Sequence, residues 1–270
     1  MSEERAALAG RAAAIARAAG REILEVYTEA DTARTLKADA SPLTAADLRA
    51  HRLIAAALAE LTPGVPVLSE ESDRPPYAER ARWRRHWLVD PLDGTREFLA
   101  RNGEFTVNIA LIEAHAPLFG VVHVPVSDTT YGGIPGAGAW RQVGTAPAQA
   151  VRVAADAADP VRVVGSRSHR GDSLEGFLAR LGRHELKPIG SSLKFCLIAE
   201  GAADVYPRLG PTSEWDTAAA QAVVVAAGGA VVELDGQPLR YNTREELLNP
   251  SFVAYGDSRR DWLALLRRSR

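Results

Sequence analysis

The segment that decides the fold around the candidate site is Trp87-Leu88-Val89-Asp90-Pro91-Leu92-Asp93-Gly94-Thr95. Its apolar start predicts a buried strand, which ends in a turn because Pro91 lacks an N–H and Gly94 adopts conformations barred to other residues. The strand therefore brings the carboxylates of Asp90 and Asp93 close together. Two such carboxylates repel each other and are costly to bury unless a cation compensates them. Magnesium prefers oxygen ligands of this kind, so the segment predicts a metal site.

Length, composition and charge are those of an ordinary globular protein. The chain has 270 residues, of which 46% are hydrophobic and 24% are charged, and its net charge is −2. A balance so near neutrality provides no basic field for a nucleic acid polymer. The single Cys196 excludes an intrachain disulfide and fits a reducing cytoplasm. The sequence resembles neither a secretory signal at its start nor a membrane span, which predicts a soluble protein, and it does not indicate the oligomeric state.

Hydrophobic periodicity predicts two layered halves with a cleft between them. Residues 1–150 predict two amphipathic helices, the second capped by Thr44, followed by an antiparallel meander. Residues 151–270 alternate between strands and helices, which is typical of α/β layering. The predicted helices are 6–27, 45–61, 173–181, 193–200 and 217–227, and the predicted strands are 65–68, 87–89, 105–112, 119–126, 130–134, 161–164, 185–189, 205–206 and 230–234.

Three further acidic positions accompany the opening segment. Glu70 and Glu71 follow a short strand, Asp47 lies in the first turn of the second predicted helix, and Asp216 begins another helix. Each has an ordinary explanation, because acids favour turns and helix N-termini. Taken together they predict one site, since ligands of layered α/β proteins bind at strand ends and helix starts. Cations between these acids and a phosphate ester would account for all of them.

Other catalytic arrangements fit the sequence less well. The chain has no phosphate-binding loop of the G-x-x-x-x-G-K-S/T type, and its six histidines form no zinc-binding pair. Phosphatases with a nucleophilic aspartate carry D-x-D-G-T after an apolar strand, whereas this chain has D-x-x-D. Phosphorylation of Asp90 stays open as an alternative. A non-catalytic protein that binds metal or nucleotide on the same scaffold is a second alternative.

Three motifs carry a resemblance to a known family. They are Val67-Leu68-Ser69-Glu70-Glu71-Ser72, Asp90 to Thr95, and Trp215-Asp216-Thr217-Ala218-Ala219. Over nearly the whole chain they resemble the inositol-monophosphatase-like, lithium-sensitive, Mg²⁺-dependent phosphatases. Glu97-Phe98 stands where inositol monophosphatases usually have Asn-Phe. This pair and the segments 101–108, 166–169, 190–195 and 206–208 resemble the branch that acts on 3′(2′),5′-bisphosphate nucleotides.

The resemblance implies a layered α-β-α-β-α sandwich and a division of labour among the acids. Glu70, Asp90 and the Leu92 carbonyl would hold one Mg²⁺, and Asp90, Asp93 and Asp216 would hold a second. A weaker third ion near Glu70 would be the lithium-sensitive one. Asp47 and Thr95 would orient and deprotonate a metal-activated water that attacks phosphorus directly, without a phosphoenzyme.

The implied substrate is adenosine 3′,5′-bisphosphate, which would be hydrolysed to AMP and phosphate. Its sulfated relative, 3′-phosphoadenosine 5′-phosphosulfate, is a further expected substrate, and inositol phosphates are the alternative. The resemblance places the enzyme in sulfur assimilation and nucleotide recycling, in the cytoplasm and peripheral at the cytoplasmic face of the inner membrane. The implied substrate-binding residues are Glu70, Leu92, Asp93, Gly94, Thr95, Ser166, His169, Ser192, Lys194 and Asp216. Of these, Lys194 is the expected partner of the 5′-phosphate, with Arg208 as a weaker candidate.

Overall fold

The computed structural model of the protein describes residues 2–32, 42–167 and 172–266. The helices in these ranges are α1 (Ser2–Thr32), α2 (Pro42–Leu61), α3 (Tyr77–Arg80), α4 (Thr95–Leu99), α5 (Asp172–Leu181), α6 (Leu193–Ala199) and α7 (Ala218–Ala226), with short 3-10 helices at Pro125–Ser127 and Glu214–Asp216. The strands are β1 (Val67–Ser69), β2 (Arg85–Asp93), β3 (Thr106–Glu113), β4 (Ala116–Val124), β5 (Thr129–Ile134), β6 (Gly138–Val143), β7 (Gln149–Val151), β8 (Val161–Ser166), β9 (His184–Ile189), β10 (Val205–Arg208), β11 (Ala230–Glu233) and β12 (Phe252–Tyr255).

The first sheet contains β1 to β7 in chain order. Strands β1 and β2 are parallel, and every later neighbour is antiparallel. The predicted meander is therefore confirmed in β3 to β5. It continues into β6 and β7, which the prediction missed because these strands are largely accessible to solvent and lack a regular alternation of apolar and polar residues.

The second sheet has the order β11-β12-β10-β8-β9. Strand β8 pairs in parallel with β9 and β10, whereas β12 pairs antiparallel with β10 and β11. The sequence prediction missed β12. The chain leaves the first sheet at Val151, next to the predicted boundary, although the division into domains 1–150 and 151–270 stays a prediction.

Helices cover both sheets and fill the space between them. On the outer face of the first sheet, Ile23 of α1 packs in one apolar cluster with Trp87 of β2. Between the sheets, Val223 of α7 and Phe252 of β12 belong to a second cluster. Phe177 of α5 lies in a third cluster, on the outer face of the second sheet. The layers therefore follow the order α-β-α-β-α, and the predicted layered sandwich is confirmed.

Helix α7 lies very close to the first sheet because two strand positions are glycines. A Cβ atom on Gly120 of β4 would lie 2.2 Å from the carbonyl oxygen of Ala219. A Cβ atom on Gly133 of β5 would lie 2.5 Å from the Cα atom of Val223. The backbone of α7 therefore rests directly on the backbone of β4 and β5.

The first two helices differ from their predicted bounds. Helix α1 continues to Thr32 instead of ending at residue 27, and α2 begins at Pro42. Proline is favoured in a first helical turn, where its missing N–H has no partner to lose. Thr44 therefore lies inside the helix instead of capping it, and Asp47 lies in the second turn instead of the first. None of the described helices combines the length and apolar character that crossing a membrane requires.

Candidate active site

Strand β2 directs Asp90 and Asp93 toward the same side of the first sheet. In a regular strand, residues three apart point to opposite faces. Here Asp90 pairs with Asn108 and Asp93 pairs with Thr106, so a three-residue step on β2 matches a two-residue step on β3. The bulge at Pro91-Leu92 absorbs the extra residue, and it brings both carboxylates to one cleft.

Two other elements bring acids to Asp90. Glu70 follows β1, which runs parallel to β2, and Asp216 ends the 3-10 helix that precedes α7. Glu70, Asp90 and Asp216 each offer a carboxylate oxygen, and these three atoms lie within 4.8 Å of one another. Thr212 Oγ1 and the Ser213 N–H hold Asp216 in place by donating to its Oδ2 at 2.7 and 2.9 Å.

The pKa values of these acids show that their negative charges lack sufficient compensation. Burial, and then the charge of Asp216, raises the pKa of both Glu70 and Asp93 to about 7. Burial, followed by the charges of Asp93 and Glu70, raises the pKa of Asp90 well above its usual range. Burial also raises the pKa of Asp216. A cluster of hard oxygen donors that resists ionisation without a counter-charge fits a divalent cation such as Mg²⁺.

Asp47 and Thr95 lie on two helices that contact each other, α2 and α4. Burial, followed by the charges of Glu71 and Glu70, raises the pKa of Asp47 to about 8. Its Oδ1 atom is buried and has no hydrogen-bond partner within the described residues. Thr95 is exposed and opens α4 directly after Gly94, whose φ of 98° is left-handed. A carboxylate with a pKa near neutrality and an uncommitted oxygen is suited to accepting a proton.

Most of the predicted substrate-binding residues share one cavity. Asp93, Gly94, Ser166, Ser192, Lys194 and Asp216 line it, together with Arg96, Glu97, Gly190, Ser191, Phe195, Tyr206, Arg208, Thr212 and Thr217. The structure describes Glu70, Leu92 and Thr95, but these three residues do not line this cavity. The Leu92 N–H donates to Asp90 Oδ1 at 3.0 Å, and the contact predicted for its carbonyl stays a prediction. His169 lies outside the described residues.

Lys194 is buried in the wall of the cavity and already has protein partners. Its Nζ donates to the carbonyl oxygens of Ser191 and Ile189 at 2.6 and 3.2 Å, and it lies 5.3 Å from the centre of the Tyr206 ring. Burial lowers its pKa to about 8, while the charge of Asp93 acts in the opposite direction. The ammonium is therefore still mainly charged at neutral pH, and its contact with a substrate phosphate stays a prediction.

Three residues that hold the acids have no predicted role: Thr106, Asn108 and Thr212. Asn108 contacts Asp93 from the middle of β3, where it is 1% exposed. Asparagine is depleted in strands, and a buried amide needs hydrogen-bond partners. A polar residue in an otherwise apolar strand was thus the available signal, whereas Thr212 lies in a loop that offers none.

Comparisons with known proteins agree with this geometry. The 3′(2′),5′-bisphosphate nucleotidase CysQ of Escherichia coli strain K12 is 52% identical over 240 residues, which cover 88% of this chain and 95% of that protein. The protein of the same name from Buchnera aphidicola is 41% identical over 243 residues, 89% of this chain and 90% of its own length. The crystal structure of CysQ from Bacteroides thetaiotaomicron shares 44% identity, covers 93% of this chain and 97% of its own, and superposes with a TM-score of 0.83.

The family resemblance is confirmed by a model of the whole family. The model described as the inositol monophosphatase family matches residues 4–265 of this chain. That range includes every acid of the cleft, from Asp47 to Asp216. The protein therefore belongs to the inositol monophosphatase family.

Proposed function

We propose that this protein is a Mg²⁺-dependent 3′(2′),5′-bisphosphate nucleotidase that hydrolyses adenosine 3′,5′-bisphosphate to AMP and phosphate. The observation that carries the proposal is the convergence of Glu70, Asp90 and Asp216 within 4.8 Å, beside a cavity lined by Asp93 and Lys194. The 52% identity to CysQ of Escherichia coli supports the nucleotide as substrate. The 3′-phosphate of 3′-phosphoadenosine 5′-phosphosulfate is a second expected target of the same chemistry.

The acids of the cleft would hold the metal ions. Glu70, Asp90 and the Leu92 carbonyl would hold one Mg²⁺; Asp90, Asp93 and Asp216 would hold the other; and a weaker third site near Glu70 would be the target of lithium. Bound Mg²⁺ makes a water molecule more acidic and offsets negative charge on the phosphate and on the leaving oxygen.

Asp47 and Thr95 would manage the proton of the attacking water. Thr95 Oγ1 accepts a hydrogen bond from the water and thereby orients it toward phosphorus. Asp47 then receives the proton through the threonine hydroxyl; it must be ionised to do so, and the positive charge of bound Mg²⁺ would favour that state against the raised pKa of about 8. The chain needs no covalent phosphoenzyme for this route.

The rest of the cavity would bind the nucleotide. The N–H groups of Gly94 and Thr95 donate to the scissile phosphate at the start of α4. Ser166, Lys194 and Arg208 contact the sugar and the 5′-phosphate on the opposite side of the cavity. There the side chains of Lys194 and Arg208 supply positive charge for this second phosphate.

A substrate panel tests the proposal. The purified protein with Mg²⁺ should release phosphate from adenosine 3′,5′-bisphosphate much faster than from inositol 1-phosphate, and Li⁺ should inhibit it. The reverse preference would identify an inositol monophosphatase. Trapping of phosphate on Asp90 during turnover would establish the aspartyl-phosphate route, and no release from any phosphate ester would favour a non-catalytic binding protein.

A further inference from the structure

One oxygen of Asp93 is fixed by several donors, while the other is left open. The backbone N–H of Ser192 donates to Asp93 Oδ2 at 2.6 Å, and Asn108 Nδ2 donates to the same oxygen at 3.3 Å. Thr106 Oγ1 lies 3.5 Å from it. Among the described residues, no donor reaches Oδ1 of Asp93. The two oxygens of one carboxylate therefore have different tasks.

The hydrogen bonds behind Asp93 have a consistent direction. The hydroxyl of Ser192 donates to Asn108 Oδ1 at 2.7 Å, and Thr106 Oγ1 lies 2.8 Å from Ser192 Oγ, to which it can donate. Because Asn108 Oδ1 is occupied by the serine, its NH₂ group must face Asp93. A flipped amide would place Asn108 Oδ1 against Asp93 Oδ2, which are both acceptors, and would lose the bond to Asp93.

Burial leaves these three side chains almost no exposed surface, although Ser192 lies in the cavity wall. Thr106 is 0% exposed, and Asn108 and Ser192 are each 1% exposed. Thr106 and Asn108 belong to β3 of the first sheet, whereas Ser192 directly precedes α6 between the two sheets. The hydroxyl of Ser192 thus contacts Asn108, behind Asp93, and the nucleotide contact predicted for Ser192 stays a prediction.

We propose that Thr106, Asn108 and Ser192 form an Asp93 clamp, a set of positioning residues that immobilises Oδ2 and presents Oδ1 to the second Mg²⁺. The clamp rests on the proposed function only in that Asp93 binds metal. Hydrogen-bond partners behind a metal ligand fix its orientation, and losing one typically costs about 10- to 100-fold in metal affinity.

Three substitutions test the clamp by calorimetric titration with Mg²⁺ and no nucleotide. Asn108→Leu preserves side-chain size and removes both polar bonds, so we expect Mg²⁺ binding about 10- to 100-fold weaker. Ser192→Ala and Thr106→Val each remove one hydroxyl, and we expect losses of about 3- to 10-fold. Thr130→Val is the matched control, because its buried hydroxyl contacts His123 and belongs to no bond of the clamp, and its Mg²⁺ affinity should equal that of the wild type.

Two further measurements distinguish the clamp from a direct nucleotide contact. The Ser192→Ala and Asn108→Leu double variant should bind Mg²⁺ about as weakly as Asn108→Leu alone, because both changes break one chain of bonds. At saturating Mg²⁺, Ser192→Ala should retain the wild-type KM for adenosine 3′,5′-bisphosphate. A raised KM with unchanged Mg²⁺ affinity would overturn the clamp and restore Ser192 as a substrate contact.

The design keeps this result separate from that of the proposed function. A Mg²⁺ titration contains no substrate, so it reports on the clamp even if the enzyme prefers inositol phosphates. If Asn108→Leu does not fold, Ser192→Ala and Thr106→Val still decide the question, since each removes a single buried hydroxyl. Unchanged Mg²⁺ affinity in both of these variants would refute the clamp.

Discussion

The two sides of the cleft carry different kinds of side chain. The acidic wall, formed by Glu70, Asp90, Asp93 and Asp216, lies at the ends of β1 and β2 and in the 3-10 helix before α7. The polar wall, formed by Glu97, Ser166, Ser191, Lys194 and Arg208, lies on α4, β8, α6, β10 and the segment before α6. Clustered carboxylates bind hard cations, whereas Lys194 and Arg208 offer positive charge to a phosphate. The proposed chemistry thus rests on the acidic wall, and substrate choice rests on the polar wall.

Loss of a metal ligand from the acidic wall should have the largest effect. Asp93→Asn removes the charge that faces the second Mg²⁺, so kcat should fall by about 10³-fold, more than for partners behind a ligand. Asp235→Asn is the matched control, because that exposed aspartate lies in a turn beyond β11. Steady-state kinetics with adenosine 3′,5′-bisphosphate would measure both, and a normal kcat for Asp93→Asn would exclude Asp93 from the chemistry.

Removal of the predicted proton acceptor should have the next largest effect. In Asp47→Asn we expect kcat to fall by about 10²- to 10³-fold, since a positioned base typically contributes that much. Mg²⁺ affinity should stay close to that of the wild type, because Asp47 is not assigned to a metal. Calorimetry beside the kinetic assay checks both values. A large loss of Mg²⁺ affinity would instead make Asp47 a metal ligand.

A change in the polar wall should alter substrate preference more than rate. Glu97 is 8% exposed on the cavity wall, and its charge raises the pKa of Lys194. In Glu97→Asn, the residue type usual for inositol monophosphatases, the ratio of kcat/KM for the nucleotide over inositol 1-phosphate should fall by about 10-fold. Glu97→Gln keeps the length of the side chain and separates charge from shape. An unchanged ratio in both variants would show that preference is set elsewhere in the polar wall.

The pH dependence of stability should be the smallest effect, and it comes mainly from buried acids in and beside the acidic wall. The raised pKa values of Asp47, Glu70, Asp93 and Glu214, about 8, 7, 7 and 7, exceed the values near 4 of the unfolded chain, and the lowered pKa of Lys194, about 8, offsets only part of the effect of these acids. Their stabilising contribution is therefore complete below pH of about 4 and is lost as pH rises to about 8. In EDTA, Tm should fall by about 5 °C between pH 6.5 and 8.5.

Added Mg²⁺ should reverse this loss, because it replaces the protons that the acids release. The rise in Tm on adding Mg²⁺ should therefore be larger at pH 8.5 than at pH 6.5. Burial lowers the pKa of His86 and His123 to about 4, so both are neutral in the folded protein throughout this window. Calorimetric scans with and without Mg²⁺ would test this, and an equal Mg²⁺ effect at both pH values would contradict it.

The acidic wall was easier to predict from sequence than its support. Apolar runs that end in acids identify strand ends, so the positions of Glu70, Asp90 and Asp93 followed from local pattern and resemblance. The bulge that turns Asp93 beside Asp90 depends on pairing with β3, which is a long-range property. The roles of Asn108 and Ser192 likewise depend on contacts between residues 84 positions apart, which no local periodicity encodes.

The errors in the helices have a local cause. Threonine is favoured as an N-cap, so the sequence predicts Thr44 there, but Pro42 is equally suited to a first turn and begins the helix earlier. Strand β12 was missed because Phe252–Tyr255 is a short apolar run, which periodicity alone cannot assign. Its place beside β10 and β11 became visible only in the folded sheet.

Gly120 and Gly133 have a consequence for how mutational data on this protein would be interpreted. They set the separation between the first sheet and α7, the helix that directly follows Asp216. Alanine at either position would push α7 outward and carry Asp216 away from Asp90, with no reacting group altered. A screen for activity would therefore report two catalytic positions on strands where no chemistry takes place. The reason is that the distance across the cleft depends on the missing Cβ atoms of these two glycines.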